Sequence, residues 1–590
     1  MPTVHRACTN VTYLSRTLAV LPLFALGGCY SGVAGNGAGE GASSASAGSA
    51  DGGSSASAGD GASDGSGSEA GDAGSEDAGS DGGGSAPTHA VAPSGMRRLT
   101  IDEYDNTLRD LLLDDSRSSD LLLPKDVRNP FDNDFTEQIP SQALIEGAYL
   151  LAADAAGRLL ADASKRDQVV GCVPAGPDDA VCFGQFIDAF GRRALRRPLT
   201  PIERDTYLAL LDYGIETGDF YTAVDTAVRA FLQDPEFLYR VELGEPVAGE
   251  PGMFRLDDWE VGTRLSYFLW GSTSPDWLLD RAEEASLTNT EGIRSAALEL
   301  LADARAQTRI DRFHALWLGY ENLPHAADLS MAMRAETAAL IKKVVFDDDL
   351  PYAELFTATE TFLDDKLADH YGLPRPGGST WVGYGDSGRA GILSHGSFLS
   401  VAGKFGDTSP TQRGILIRTR LFCQDIPPPP PDVNVDDEVP TTETVFCKYD
   451  RYAAHRQGGC ASCHNLTDPI GFGLENYDQR GRYRTHEADD PDTSEDESTC
   501  VIAGDGELVG IGSFRGPAEL GQLMLDSGLV ERCVATQLYR FAMGRYELDQ
   551  HDLAFIDLLQ QNVGTPGFHF ADLAVEFVAN EAFRFRREQP

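Results

Sequence analysis

Thr100-Ile101-Asp102-Glu103-Tyr104-Asp105-Asn106-Thr107-Leu108-Arg109-Asp110-Leu111-Leu112 is the stretch on which the fold class turns. Thr100 and Glu103 stand three apart, the spacing at which each side chain satisfies the other's free backbone amide at a helix start. Behind them Ile101, Tyr104, Leu108, Leu111 and Leu112 recur at helical period and would form one apolar face. The same device returns at Thr200-Pro201-Ile202-Glu203, with proline at the first helical position, at Asp257-Asp258-Trp259-Glu260, and at Thr288-Asn289-Thr290-Glu291. Period-two alternation is short and rare, around Trp381 to Tyr384 and Val501 to Val509. The expected fold is therefore mainly α, several small helical modules rather than one large sheet or barrel.

What precedes residue 96 differs in kind. Arg6 and Arg16 precede an apolar run, Leu18 to Leu26, that ends Leu26-Gly27-Gly28-Cys29. That pattern reads as a lipoprotein signal over 1–28 with Cys29 as the lipidated residue, a plain secretory signal being the alternative. Residues 31–95 carry no Lys or Arg and consist almost wholly of Gly, Ala, Ser, Asp and Glu. Such a segment buries too little apolar surface to offset its ordering entropy, so 29–95 is expected to be a disordered acidic tether. The implied location is exported, anchored to the outer membrane through lipid and facing the periplasm or the cell surface.

Charge excludes some partners. The chain has a formal net charge of −44, and residues 96–590 alone carry −37. A nucleic acid or an anionic headgroup would be repelled by such a body. The run Glu487 to Glu497 holds seven acids but lacks the regular oxygen spacing and turn glycine of a calcium loop, so it reads as a solvated loop.

The chemistry concentrates in Cys460-Ala461-Ser462-Cys463-His464. Two thiols three positions apart can add to the two vinyl groups of one haem, and the following histidine is placed to ligate its iron. At this chain's Cys and His frequencies the pattern arises by chance on the order of 0.003 times per chain. A CxxC disulfide and half a zinc site are the other readings; zinc is weakened because no second ligand pair follows. Cys460 and Cys463 would thus hold haem c covalently with His464 as proximal ligand. Met524, Met543 and His455 are the candidates for the distal position. Asp468-Pro469 would close a turn and support the imidazole, and Arg480, Arg482 and Arg484 are candidates for the haem propionates.

Six further cysteines, Cys172, Cys182, Cys423, Cys447, Cys500 and Cys533, suit up to three disulfides in an oxidising compartment. Nearness in sequence favours Cys172–Cys182 and Cys423–Cys447, leaving Cys500–Cys533; the first has the best support, from its short Pro/Gly/Asp-rich loop. No nucleophile elbow, zinc-protease helix or phosphate loop is present. His314, His370 and His395 read as packing or surface histidines. Trp259, Trp270, Trp277, Trp317 and Trp381 read as core rather than as a sugar-stacking platform. Asp364 and Asp365 are adjacent, which makes a poor acid/base pair.

Several strings resemble a known family, the exported planctomycete and myxobacterial proteins built from successive domains of unknown function with a cytochrome-like motif. The matching stretches are Arg98–Thr100 with Asn106–Leu112, Phe190–Thr200, Asp234–Arg240, Arg264–Trp270, Thr408–Pro410 with Arg413-Gly414, Asp468–Asp478 with Gly481-Arg482, and Tyr539–Arg545. The resemblance covers nearly all of 96–590 and implies an exported, haem-bearing protein of unsettled activity. Relatives commonly carry Met before the Asp-Pro pair where this chain has Thr467, so any tuning by that residue is absent. The expected organisation is a first helical module over 96–168, a second over 169–245 and a third over 250–385. A cytochrome c-like haem module over 386–500, with a Pro-rich linker at 427–440, and a C-terminal helical module over 501–590 complete it. The leading functional expectation is mono-haem electron transfer with an unknown redox partner. The alternatives are a haem-dependent oxidoreductase on an extracellular substrate such as a polysaccharide, and a non-enzymatic binding scaffold.

Overall fold

The computed structural model describes residues 91, 94–404, 406–427, 446–487, 499–547, 549–563 and 567–588. The signal, Cys29, nearly all of the tether, the Pro-rich linker beyond Pro427 and the acidic run beyond Glu487 lie outside the described residues. Helices dominate, and the only sheets among the described residues are small, of two or three strands. No described helix is long and apolar enough to cross a membrane.

The helix starts follow the sequence chemistry. Thr100 Oγ1 accepts from the Glu103 amide at 3.2 Å while a Glu103 carboxylate oxygen accepts from the Thr100 amide at 3.2 Å, opening Ile101–Leu112. The reciprocal pairs form at Thr200/Glu203 and Asp257/Glu260 as well. The fourth expected start is corrected by one residue: Asn289 caps Thr290–Leu301 by accepting from Gly292, leaving Glu291 one position too early to reach back. Asp162, Asp179, Asp219, Asp234, Asp303 and Asp364 also cap helices through their carboxylates. Part of the acid excess thus satisfies free amides at the positive ends of helix dipoles. Asp364 is therefore a cap, and Asp365 accepts from the Gly377 amide at 2.7 Å, so neither is an acid/base partner of the other.

The helical modules do not keep separate cores. One core joins Ile101–Leu112, Gln142–Ala161, Ala180–Ala194 and Phe220–Gln233 through Leu108, Leu151, Phe183, Phe186, Val224 and Phe231. A larger one takes in Asp258–Leu269, Thr290–Leu301, Ala304–Leu318, Leu529–Met543 and Phe570–Ala579. Ile417, Leu421, Ile470 and Leu474 belong to this same core, alongside Phe313, Trp317, Phe541 and Phe577. The reason is size: a segment of this length buries too little apolar surface by itself and borrows its neighbours'. Strand Met253–Arg255 lies between Phe585–Arg587 and Glu245–Pro246, so the chain's end closes over the loop that follows the first core. Both expected strand regions pair, Thr380–Gly383 with Glu360–Leu363 and Asp505–Leu508 with Gly512–Arg515.

Buried ion pairs lie between the cores. Glu103 is fully buried and accepts from Arg309 at 2.9 Å. Glu242 accepts from Arg97 at 2.7 Å and from Arg264 at 2.6 Å. Burial opposes ionisation of Glu242, and the two guanidinium groups more than offset it, so its pKa stays well below the usual range. Removing one partner would strand a buried charge at a cost of about 3–5 kcal/mol.

Three disulfides close the body. Cys172–Cys182 forms as expected, but the other two are Cys423–Cys533 and Cys447–Cys500, not Cys423–Cys447 and Cys500–Cys533. Loop-closure entropy grows only logarithmically with length, so nearness in sequence carries little weight against the fold. Cys423 follows the helical run Pro410–Leu421, which packs beside Leu529–Met543 and so beside Cys533. Cys447 meets Cys500 where the Lys448 amide donates to Glu487, whose own amide donates to the Cys500 carbonyl.

Candidate functional site

The Cys460–His464 motif opens the helix Ala461–Phe472, reached through short 3₁₀ turns at Tyr452–Arg456 and Gly458–Cys460. Asp468-Pro469 does not close a turn; the helix runs through Pro469. An internal proline forfeits one hydrogen bond and crowds the preceding turn. Packing against Pro410–Leu416 compensates. A Cβ at Gly414 would stand 2.0 Å from the Thr467 carbonyl oxygen, and one at Gly471 would stand 1.9 Å from the Pro410 carbonyl oxygen. The crossing is thus as close as backbones allow, with one glycine from each helix. Arg418 Nε, just beyond, donates to the Leu466 carbonyl at 2.6 Å.

A buried charge network fixes this pair of helices to the body. Arg413 donates to the Leu474 carbonyl at 2.8 Å and to Glu475 at 3.2 Å. Lys448 and Arg484 reach the other Glu475 oxygen at 3.3 and 2.9 Å, and Thr408 donates to it at 2.6 Å. Of the three arginines expected at propionates, Arg484 is engaged here and Arg482 pairs with Asp478 at 2.7 Å. The Arg480 side chain is exposed, while its carbonyl accepts from His370 at 2.8 Å.

The motif's imidazole is held by a carboxylate one turn on. His464 Nδ1 lies 3.1 and 3.2 Å from the two Asp468 oxygens, and His455 Nδ1 lies 3.2 Å from one of them. Thr411 Oγ1 donates to the other at 2.7 Å. Asp468 is 1% exposed, the two histidines 23–24%. Burial pushes the Asp468 carboxyl up, but hydrogen bonds from His455, His464 and Thr411 outweigh it and hold the pKa near 2. An ionised carboxylate only accepts, so each Nδ1 carries a proton and each Nε2 is the ring nitrogen left to face away from Asp468. The two rings stand 4.0 Å apart, and Tyr452 packs on His455 at 4.7 Å and on Phe472 at 5.5 Å. Cys460 is exposed and Cys463 half-buried, both free, while the other six described cysteines are paired.

These residues fit a covalently held haem: two free thiols and an imidazole whose other nitrogen is already bound to a carboxylate. The donor atoms of His455, His464 and Asp468, all within 4.8 Å of one another, also suit a small transition-metal ion. Of the three distal candidates, His455 stands beside His464. Two imidazoles on opposite faces of one iron have ring centres roughly 6 Å apart, given metal–nitrogen bonds of about 2 Å. With ring centres only 4.0 Å apart, His455 would stand beside His464 rather than across a bound iron from it. Met524 and Met543 are buried in the larger core.

The remaining histidines behave as packing or surface residues. His314 is fully buried, bonded to the Tyr352 hydroxyl at 2.7 Å, and burial pushes its pKa down to about 4. His395 is fully buried against Thr337 at 2.9 Å, and burial, with Arg389 nearby, pushes it down to about 3. Trp270 and Trp317 are buried, and Trp259, Trp277 and Trp381 pack partly buried against the larger core. Two features escaped the sequence reading. Thr411 lies 53 residues before His464, and no local pattern links them. Glu336 is buried beside His395, bonded to Thr361 at 2.7 Å and Tyr371 at 2.6 Å; it sits in a helix whose spacing gives no sign of a polar interior.

Five family matches follow the chain in order, each described as a protein of unknown function: DUF1587 over 97–161, DUF1595 over 182–242, DUF1592 over 256–373, DUF1588 over 389–487 and DUF1585 over 512–583. Together they span well over half of the sequence. The chain belongs to the planctomycete-type family of multi-module proteins of unknown function. Within this family's arrangement the DUF1588 segment contains the motif, Asp468, His455, Thr411 and all three arginines. Met524 and Met543 fall in the DUF1585 segment. No curated protein and no solved structure matches the chain.

Proposed function

We propose that this protein is an exported mono-haem c-type redox protein, tethered to the outer membrane through lipid on Cys29 and passing electrons to a redox partner in the periplasm or at the cell surface. The observation that carries the reading is His464, protonated at Nδ1 against an ionised Asp468 and so presenting Nε2, one residue after a free Cys463 and four after a free Cys460. Haem would supply one-electron chemistry at that point. The chain's own residues would attach it, fix the imidazole and bury the supporting carboxylate. Three disulfides support an oxidising compartment. The net negative charge favours a partner that presents a basic face.

The test is a pyridine haemochrome spectrum with intact mass, on protein from a host that matures c-type cytochromes. A c-type spectrum and one added haem mass are expected. An unmodified mass from a host that matures control cytochromes would sink the reading and leave a binding scaffold.

A further inference from the structure

We infer that Asp468 is a positioning residue that sets the reduction potential of the site, and that His455 moderates it by sharing the same carboxylate. The inference rests on the haem reading and goes beyond it: it says which residues tune the iron and in which direction.

The geometry is specific. Among the described residues Asp468 is the one group in hydrogen-bond range of both imidazoles, at 3.1 Å from His464 and 3.2 Å from His455, and Thr411 approaches one of its oxygens at 2.7 Å. A carboxylate on the outer nitrogen of a metal-bound imidazole fixes the ring and makes its inner nitrogen a stronger donor. A stronger donor favours the oxidised, more positive iron, so Asp468 lowers the potential. His455 draws on the same negative charge through its own Nδ1–H, which weakens what reaches His464. It cannot act as the opposite axial ligand while its ring lies 4.0 Å from that of His464. Its position is instead that of a second donor against one acceptor. The two substitutions must therefore act with opposite sign, a pattern that loss of packing alone does not produce.

The experiment is spectroelectrochemical titration of the haem-loaded full chain and two variants. Asp468→Asn keeps a hydrogen-bond acceptor and removes the charge. At the wild-type midpoint it is expected to shift the reduced-to-oxidised ratio about tenfold toward the reduced form, which is about 59 mV for one electron. His455→Phe keeps an aromatic ring against His464 and frees the carboxylate, and is expected to shift the ratio toward the oxidised form. An unmoved potential in Asp468→Asn, or shifts of the same sign in both variants, would overturn the inference while leaving haem attachment intact. Absence of haem on the wild-type protein would overturn both readings together. Should Asp468→Asn fail to fold or load, long-range ¹H–¹⁵N spectra of the haem-free wild-type chain decide: protonated Nδ1 on His464 is required, and the Nε2–H tautomer overturns the inference.

Discussion

Two histidine–carboxylate pairs in this molecule use the same chemistry to opposite ends. At the motif, His464 and His455 face Asp468 with about a quarter of each ring open to solvent, and the carboxylate is held ionised near pH 2 and above. In the body, His395 and Glu336 lie 3.8 Å apart with no exposure at all. There burial pushes Glu336 up to about 7 and His395 down to about 3. The difference comes from donors and water. Asp468 accepts from four side chains, His455, His464, Thr411 and Thr467, and its imidazole partners are partly exposed; Glu336 accepts from two hydroxyls, Thr361 and Tyr371, with Arg389 more distant, and neither it nor His395 is exposed to solvent. A carboxylate made comfortable as an anion orients an outward-facing ligand, whereas one kept near neutrality fills a closed polar interior.

The largest expected effect separates the two pairs outright. Replacing Cys460 and Cys463 together with alanine should abolish covalent haem, read as the loss of the haem mass. It should leave the melting temperature of the haem-free chain within a degree or two, because these thiols are free and not buried. A large loss of haem-free stability would mean that the motif helix depends on those side chains for packing.

The second effect belongs to the closed pair. A buried carboxyl whose pKa rises from 4.5 to about 7 carries no folding penalty below the unfolded value and the full penalty above the folded one. Stability from Glu336 is therefore lost as pH rises through that window, by about 3 kcal/mol. His395 acts with the opposite sign, losing stability as pH falls from 6.5, but it is common to wild type and Glu336→Gln. The stability of Glu336→Gln relative to wild type should thus climb by about 3 kcal/mol between pH 4.5 and 7.5, measured by urea unfolding at each pH. A constant difference would show that Glu336 is ionised in the folded protein.

Much of this contrast was legible in sequence on one side and hidden on the other. The helix starts at Thr100, Thr200 and Asp257 and the mainly α class follow from local spacing, and they appear as such. Asp468 was legible as support for His464 from its nearness in sequence, but the expected turn at Asp468-Pro469 is in fact a continuous helix that brings the two together one turn apart. Glu336, Thr361, Tyr371 and His395 come from four separate elements, so only the tertiary fold assembles them. The same reason defeated the disulfide pairing: Cys423 and Cys533 meet across 110 residues through helix packing that no local pattern encodes. Shared cores were hidden too, since repeated helical modules look self-sufficient until Ile470 and Leu474 are found in the same apolar cluster as Phe541.

The third effect tests the platform under the open pair. Gly471→Ala would bring a Cβ to 1.9 Å from the Pro410 carbonyl oxygen, so the crossing must widen. A loss of about 2–3 kcal/mol is expected by denaturant unfolding, with weaker haem retention because Thr411 moves away from Asp468. Unchanged stability would mean that the two helices separate without cost, and the close crossing would not explain a proline tolerated inside the motif helix.

The smallest effect is the sharpest. Thr411→Val is nearly isosteric and removes only the hydroxyl that donates to Asp468 at 2.7 Å. One lost hydrogen bond at a partly buried site should cost about 1 kcal/mol. Its value lies in what it does to the comparison. With Thr411 gone, Asp468 keeps the two imidazoles and the longer 3.3 Å bond from Thr467 as donors and moves a step toward the donor-poor condition of Glu336. If donor number is what distinguishes the two carboxylates, the Asp468 pKa in Thr411→Val must rise above its wild-type value near 2, as read from carboxyl ¹³C shifts of the haem-free chain. If it does not, the open solvent edge of His455 and His464, and not the count of donors, keeps that carboxylate ionised.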